Sequence, residues 1–410
     1  MKCLCRFCNT PVTQTLVDLG LTPLANSFLP FDDPLAISSE RRFPLHVVVC
    51  NDCWLVQTTE TPPADAIFSY DYAYLSSSSE SWVTHAARYA QEAIARFGLD
   101  KDSMVVEVAS NDGYLLQHFV KVGIPVLGIE PAGHAASLAL EKGVPTKMVF
   151  FNEDTAIKLK SQGFSADLMT ANNVLAHVPE IKNFVKGFQV LLKRTGVATF
   201  EFPHLVSLME SVQFDTIYHE HYSYLSLTFV DRLMKEVELE IFDVEKLSTH
   251  GGSLRVFVCQ KGTRSISHRV ADAQADEDSL NMRHADGYKG IEAKVELIVT
   301  EFRAFLAQAT AEGKTVAGYG AAAKGNTFLN VAGINASDVA FIVDVNPMKQ
   351  NTLLPGSHIP VCPVDNVSAK RPDYLVIFPW NIAAEVIEQQ EHIREWGGQF
   401  VTALPALTIQ

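Results

Sequence analysis

Residues 104–113, Met-Val-Val-Glu-Val-Ala-Ser-Asn-Asp-Gly, constrain this chain more than any other stretch. The first five read as a short buried strand, apolar but for Glu107. Ser110, Asn111, Asp112 and Gly113 make a turn, since Asn and Asp tolerate unusual backbone angles and Gly reaches positive φ freely. Residues 114–119 then start a helix, and a second strand over 125–129 ends on Glu130. Strand, tight turn, helix and a strand ending in an acid form the nucleotide-binding half of a doubly wound α/β sheet. A carboxylate at that position can accept both ribose hydroxyls. The stretch has no G-x-G-x-x-G, so a pyrophosphate fits poorly and an adenosyl group without phosphates, as in S-adenosylmethionine, fits better. The plain alternative is an ordinary βαβ unit with a chance acid.

The rest of the chain bounds this reading. Its 410 residues suffice for about two to four domains. With 47% hydrophobic and 20% charged residues, it has the profile of a soluble globular protein. A net charge of -14 with only short basic runs speaks against nonspecific nucleic-acid binding, which needs cations to displace counterions. No apolar run approaches the ~20 residues that span a bilayer. The first residues lack the apolar core of a signal peptide, so the cytoplasm is the expected compartment. There the seven cysteines are expected to be metal ligands or core thiols rather than disulfides.

Four of them form two C-x-x-C pairs, Cys5 with Cys8 and Cys50 with Cys53. Each pair can wrap a turn around one face of a tetrahedral Zn²⁺. The surrounding segment, 1–65, is short and broken by prolines, so it needs a staple. Four thiolates leave no open position, which makes the zinc structural. Cys3 rivals Cys5, but the spacing favours Cys5. Next, Tyr70, Tyr72 and Tyr74 alternate along an extended stretch and would share one face. A serine run, 76–79, leads from there into a helix over 81–97. The tyrosine stretch is placed to act as a lid on the nucleotide-binding unit.

Further strands are expected at 166–171 and 196–201. Ligands of an open α/β sheet sit at the carboxyl ends of its strands, which places Asn172, Asn173 and His177 for function. His177 and His204 also suit the sheet core. The densest polar cluster is Tyr218-His219-Glu220-His221-Tyr222-Ser223-Tyr224. Two imidazoles, a carboxylate and three phenols suit proton transfer near neutrality better than metal binding. Thr249-His250-Gly251-Gly252-Ser253 precedes an alternating strand, and residues 262–284 read as a polar connector. A long amphipathic helix is expected from the spacing of Ile291, Val295, Ile298, Phe302, Phe305 and Leu306. The last third repeats the α/β pattern: a strand at 315–317, a Gly-rich turn from Gly318 through Lys324 to Asn326, and a strand ending on Asp344. Amides at that helix start favour a phosphate, which Lys324 would reinforce.

Taken together, these pieces resemble the bacterial deoxysugar C-methyltransferases of the sugar C-3-methyltransferase type. The resemblance covers nearly the whole chain. It rests on the paired C-x-x-C module, Asp71-Tyr72-Ala73-Tyr74-Leu75-Ser76, residues 107–113, Asn173-Val174-Leu175-Ala176-His177, Tyr218-His219-Glu220-His221, His250-Gly251-Gly252-Ser253 and the Gly318 to Asn326 turn. Ala109 departs from it, since a glycine is common at that point of the turn. The resemblance implies three units: a zinc-binding module (1–65), a Rossmann-like S-adenosylmethionine domain (66–285) and a second Rossmann-like domain (286–410) that holds the sugar nucleotide. It implies cofactor contacts from Glu107, Ala109, Asn111, Asp112, Gly113, Glu130 and Asn172, and substrate contacts from His250, Gly251, Ser253, Tyr319, Lys324 and Asn326.

The implied reaction is C-methylation beside the ketone of a nucleotide diphosphate-linked 4-keto-6-deoxy sugar. The hydrogen next to a ketone is weakly acidic, so a base must remove it while donors stabilise the enolate. The resemblance makes His221 that base, oriented by Glu220 and Tyr218, with Tyr72, Asn173 and His177 lining the same cavity. His219 competes, because side chains two apart share a face on a strand. Two rival readings are an NAD-dependent sugar oxidoreductase using the second sheet and a noncatalytic sugar-nucleotide-binding protein.

Overall fold

The computed structural model describes residues 3–59 and 75–410. Strands β1 (Gln14–Thr22), β2 (Leu29–Pro30), β3 (Phe43–Val49) and β4 (Val56–Thr58) come first. β3 pairs antiparallel with both β1 and β4. Side chains alternate across a strand, and β3 uses both faces. Val47 and Val49 join the apolar cluster that includes Leu16, Val17 and the C-terminal third. Val48 and the following Cys50 join the other cluster, with Cys5, Cys53 and the central sheet. The N-terminal sheet is thus a partition packed on both sides.

The central body adds β5 (Val105–Val108), β6 (Val126–Ile129), β7 (Thr146–Lys147), β8 (Ala166–Asn172), β9 (Leu192–Pro203), β10 (Ser223–Tyr224), β11 (Leu239–Leu247) and β12 (Ser253–Gln260). Seven of these form a sheet in the order β11-β12-β9-β8-β5-β6-β7. β5 to β9 run parallel, and β12 is antiparallel to both neighbours. Strand order reverses at β5, between β6 and β8, so a crevice opens at their carboxyl ends. Helix Ile181–Leu191 covers the sheet with Ile181, Phe184, Val185, Phe188 and Leu191, an apolar stripe at helical spacing. Helix Glu80–Phe97 begins on the Ser79 cap, whose hydroxyl accepts the Trp82 amide.

The stretch expected to be a connector, 262–284, contains helix His268–Ser279. Its Val270, Ala273 and Glu277 are buried, and Glu277 explains why so polar a helix stays docked. The Glu277 carboxylate accepts His204 Nε2 at 2.8 Å, the Thr228 amide at 2.7 Å and the Thr228 hydroxyl at 2.6 Å. His204 is therefore a core histidine.

The C-terminal sheet contains β13 (Val316–Tyr319), β14 (Ile342–Val343), β15 (Thr352–Leu353), β16 (Pro360–Cys362), β17 (Tyr374–Ile377), β18 (Gln399–Thr402) and β19 (Thr408–Ile409). Its order is β19-β18-β17-β13-β14-β16-β15-β2, so the N-terminal segment supplies its last strand. Conversely, β10 pairs with β4 and completes the N-terminal sheet as β1-β3-β4-β10. Helix Ile291–Ala311 buries the six apolar residues that its spacing foretold. These exchanges of strands lace the three sheets together and bring the cluster around His221 between them. Among the described residues, no helix is long and apolar enough to cross a membrane.

Candidate active site

The crevice at β5 is shaped by backbone conformation. Ala109, Asn111 and Gly113 all have positive φ, at 53°, 48° and 78°. Gly113 also lies close to its neighbours: a Cβ there would sit 3.1 Å from Val144 and 3.3 Å from Ala139. Ala109 holds a left-handed conformation that glycine adopts without strain, which gives the departure noted above a physical meaning. Glu130 closes the turn. Its carboxylate accepts the Asn111 amide at 2.9 Å and the Ala132 amide at 2.8 Å. Each oxygen keeps a further lone pair for a ribose hydroxyl.

Glu107 is fully buried on β5, with the Tyr114 side chain as its polar neighbour. Burial drives its pKa well above the ordinary carboxylate range. Asp112 is buried too, held by Lys142 at 3.0 Å and by the Ser77 hydroxyl. The Ser76 amide donates to Asn111 Oδ1 at 2.8 Å, so the serine loop clasps the turn. Asn172 ends β8 and accepts the Thr170 hydroxyl at 3.3 Å. A turn of positive-φ residues closed by the Glu130 carboxylate, with no anion-binding glycine cradle, fits an adenosyl ligand. Tyr70, Tyr72 and Tyr74 lie outside the described residues.

Next to the crevice lie two histidines held alike. His221 Nδ1 donates to the Thr216 carbonyl at 2.7 Å, and His177 Nδ1 donates to the Glu220 carbonyl at 2.9 Å. A carbonyl can only accept, so in each neutral ring the lone pair is on Nε2. The two rings meet edge to face with centroids 4.6 Å apart. Burial pushes the His177 pKa down to about 4. Burial, then the charge of His177, puts that of His221 well below its usual value. Tyr218 lies against His221, with centroids 4.1 Å apart.

The expected orientation of His221 by Glu220 needs correcting. The Glu220 carboxylate takes the Asn26 amide group, and the Thr216 backbone is what fixes His221. His219 points elsewhere. Its Nε2 meets the Pro44 carbonyl at 3.2 Å and its ring packs on Phe43. The pair does not share a face, because the backbone from Tyr218 to His221 turns, with the His221 amide bonded back to the Tyr218 carbonyl.

Asn173 and His250 form a third side. Asn173 Nδ2 lies 3.0 Å from His250 Nε2, and both residues have positive φ. Beneath them is a network that the sequence reading missed. Glu201 on β9 faces Arg255 directly across the β9–β12 pair, and their side chains meet at 2.6 Å. His85 lies 3.0 Å from the same carboxylate, and the Thr249 hydroxyl donates to it at 3.0 Å. Burial alone would raise the Glu201 pKa, but His85 and Arg255 outweigh it and hold it at about 2. Opposite charges at facing positions of two apolar strands were the available signal. Breaking such a buried pair costs ~3–5 kcal/mol, since one charge is left unpaired.

The C-terminal body supplies the fourth side. Lys324 donates to Asn381 Oδ1 at 3.1 Å and lies over the Trp380 ring. Trp380 Nε1 donates to the buried Asp215 at 2.8 Å. The Trp380 ring fills the space beside Gly251 (φ 86°), where a Cβ would sit 2.2 Å from it. Burial lowers the Lys324 pKa, opposed by Asp215, and its charge helps to lower those of His221 and His250. Tyr319 is buried, its hydroxyl 3.3 Å from Gln389. Two expected substrate contacts are corrected here. Asn326 is buried and donates to the Ala25 carbonyl at 2.9 Å, and Ser253 is buried and donates to the Thr249 carbonyl at 2.9 Å. Both hold the fold behind the site.

The four cysteines of the N-terminal knuckles converge. Cys5 Sγ is 3.5 Å from Cys53 Sγ, Cys8 Sγ is 3.5 Å from Cys50 Sγ, and all four lie within 4.8 Å of one another. Zn–S bonds of ~2.3 Å give a tetrahedron with edges of ~3.8 Å, so the set fits zinc. The knuckles close identically, with Asn9 N on Cys5 O and Trp54 N on Cys50 O, both at 2.9 Å. Asn9 and Trp54 both have positive φ.

Three family models match in succession. "Putative zinc binding domain" covers residues 5–68, "Methyltransferase domain" 82–244 and "C-methyltransferase C-terminal domain" 248–405. The chain is 33% identical to C-methyltransferase NovU of Streptomyces niveus over 402 residues, 98% of this chain and 95% of that one. Several solved structures resemble part of it. One is an S-adenosylmethionine-dependent methyltransferase from Clostridium acetobutylicum (14% identity, TM-score 0.36, 44% of this chain and 92% of that one). Another is from Anabaena variabilis (13%, 0.38, 49% and 98%). The paired knuckles, the braced crevice and a relative matched from end to end agree: this chain belongs to the C-methyltransferase family and is an S-adenosylmethionine-dependent enzyme with a structural zinc module.

Proposed function

We propose that the chain methylates a 4-keto-6-deoxy sugar nucleotide at C-3, the carbon beside the ketone. The observation that carries this reading is the histidine pair. A base that works on a weak carbon acid must be neutral, fixed in one tautomer and screened from water. His221 and His177 meet these needs through the Thr216 and Glu220 carbonyls.

In this reading the three units are 1–65, 66–285 and 286–410, and the substrate lies between the last two. Glu130 and Asn111 hold the adenosyl ribose, with Glu107, Ala109, Asp112, Gly113 and Asn172 shaping the crevice. S-adenosylmethionine, when bound, supplies an electrophilic methyl group. His221 Nε2 takes the proton from C-3. Asn173, His177 and Tyr218 face the developing enolate. Lys324, His250, Gly251 and Tyr319 meet the sugar nucleotide, and the cation of Lys324 suits its phosphates. The test is a panel of nucleotide-linked 4-keto and 4-hydroxy sugars with isotopically labelled methyl donor. Only the keto sugars should gain a methyl on carbon. Methyl transfer to oxygen, or to 4-hydroxy sugars equally well, would contradict the reading.

Two further results are expected. Glu130→Ala should weaken S-adenosylmethionine binding by calorimetry, because it removes the ribose acceptor and the brace on Asn111. Sugar-nucleotide binding should change little; an unchanged cofactor affinity would remove Glu130 from the ribose. The second concerns pH. A histidine with a lowered pKa stays neutral to lower pH than an ordinary one. The acid limb of the kcat–pH profile should therefore lie below ~6.5. A limb at or above that value would mean that His221 is not the titrating base.

A further inference from the structure

Tyr222 links the two histidines to the zinc knuckle. Its amide donates to the Ala176 carbonyl at 2.9 Å, one residue before His177. Its carbonyl, one residue after His221, receives an Nη2 hydrogen bond from Arg6, the Thr58 amide at 3.2 Å and the Thr58 hydroxyl at 3.4 Å. Arg6 lies inside the first knuckle, between Cys5 and Cys8. Its other terminal nitrogen donates to the Thr58 carbonyl at 2.7 Å, and its amide donates to Gln57 Oε1 at 3.0 Å. The buried Gln57 returns a bond to the Leu4 carbonyl at 3.2 Å. The following residues, Ser223 and Tyr224, pair with Gln57 and Val56 in the N-terminal sheet.

We propose that Arg6 is a positioning residue for the methyl-transfer reaction: its guanidinium grips the Tyr222 carbonyl and so sets the relative placement of His177 and His221. The inference rests on the reading of His221 as the base. Its geometry is specific. A single residue, Tyr222, joins both histidine segments: its amide is bonded to the strand-end turn before His177, and its carbonyl, in the next peptide unit, faces a planar two-pronged donor that also grips the neighbouring strand. Guanidinium fits such paired carbonyls better than an ammonium, because its N–H groups form a rigid fork. The zinc module thereby does more than add stability, because its first knuckle carries the residue that fixes the catalytic loop.

A misplacement of about 1 Å costs on the order of 10²-fold in rate. Arg6→Ala in the full-length, zinc-loaded enzyme should lower kcat by about that factor. It should slow solvent-deuterium exchange at substrate C-3 in parallel, with zinc content and S-adenosylmethionine affinity unchanged. Arg6→Lys keeps a cation but loses the fork and should fall between. The comparator is Val17→Ala in β1, the edge of the sheet opposite β10. It should lower the melting temperature with little loss of kcat. Wild-type exchange in zinc-loaded Arg6→Ala, or an equal loss of kcat in Val17→Ala, would overturn the proposal. If Arg6→Ala does not fold, full wild-type exchange in Arg6→Lys overturns it instead. Where His221→Asn abolishes exchange and the Arg6 variants keep it, only this inference fails. Where His221→Asn retains exchange, the reading of the base fails and takes the inference with it.

Discussion

His221→Asn should reduce kcat by ~10²–10⁴-fold, the usual contribution of a general base, while S-adenosylmethionine affinity stays at the wild-type level. The size follows from what the side chain does. Asn can still reach the Thr216 carbonyl as a donor, so the loop keeps its anchor, but it has no nitrogen lone pair to take a proton. The cofactor crevice is built from β5, β6 and β8, none of which contains this residue. His219→Asn is the sharp comparator, because that side chain packs against Phe43 and Pro44 in the N-terminal sheet. It should retain most of the rate. A large loss in His219→Asn with normal turnover in His221→Asn would exchange their roles.

Zinc removal should have an equally large effect, on stability. Structural zinc in small modules contributes apparent free energies of ~10–16 kcal/mol, against ~5–15 kcal/mol for the folding of a whole domain. The N-terminal sheet is small, and its knuckle cysteines Cys5, Cys50 and Cys53 are buried. Elemental analysis should find about one zinc per chain, as a single four-thiolate site requires. Cys53→Ser should lose the metal and melt far below the wild type. Cys3→Ser should keep it, because Cys3 is outside the four-sulfur group. Turnover should fall with the metal, since β4 of this sheet holds β10 beside His221. A zinc-free protein with unchanged melting would contradict this role.

Much of the fold was legible in the sequence because local rules and burial agree there. Residues 104–130 show a buried strand, a turn that needs positive φ and an acid that braces it, and each feature is a short-range signal. The amphipathic helix Ile291–Ala311 was equally plain, since its six apolar residues repeat at helical spacing. The C-x-x-C pairs predicted their own convergence. What stayed hidden depends on contacts between distant segments. No local pattern tells that β2 joins the C-terminal sheet or that β10 joins the N-terminal one. Helix His268–Ser279 looked like a connector because its stability lies in one buried acid, Glu277, with partners from residues 204, 227 and 228.

The site shows the same division. The types of residue around His221 suggested proton transfer, which remains a proposal, but did not tell which group holds its ring. That is a backbone carbonyl, Thr216, invisible to any reading of side chains. The family resemblance implied ligand contacts from Asn326 and Ser253, yet their polar groups hold neighbouring backbone. The Glu201–Arg255 pair was legible in principle, as two charges in otherwise apolar strands, but only the register of β9 against β12 reveals that they face each other. The family match removes the oxidoreductase rival, leaving a C-methyltransferase.

Proton abstraction without methyl transfer isolates the central chemical step. Wild-type enzyme, a nucleotide-linked 4-keto-6-deoxy sugar and S-adenosylhomocysteine in deuterated water should give deuterium at C-3, seen by proton NMR as loss of that resonance. His221→Asn should nearly abolish this exchange, and His219→Asn should largely keep it. Absence of exchange in the wild type, or exchange at the wild-type rate in His221→Asn, would contradict base-assisted methylation by this histidine.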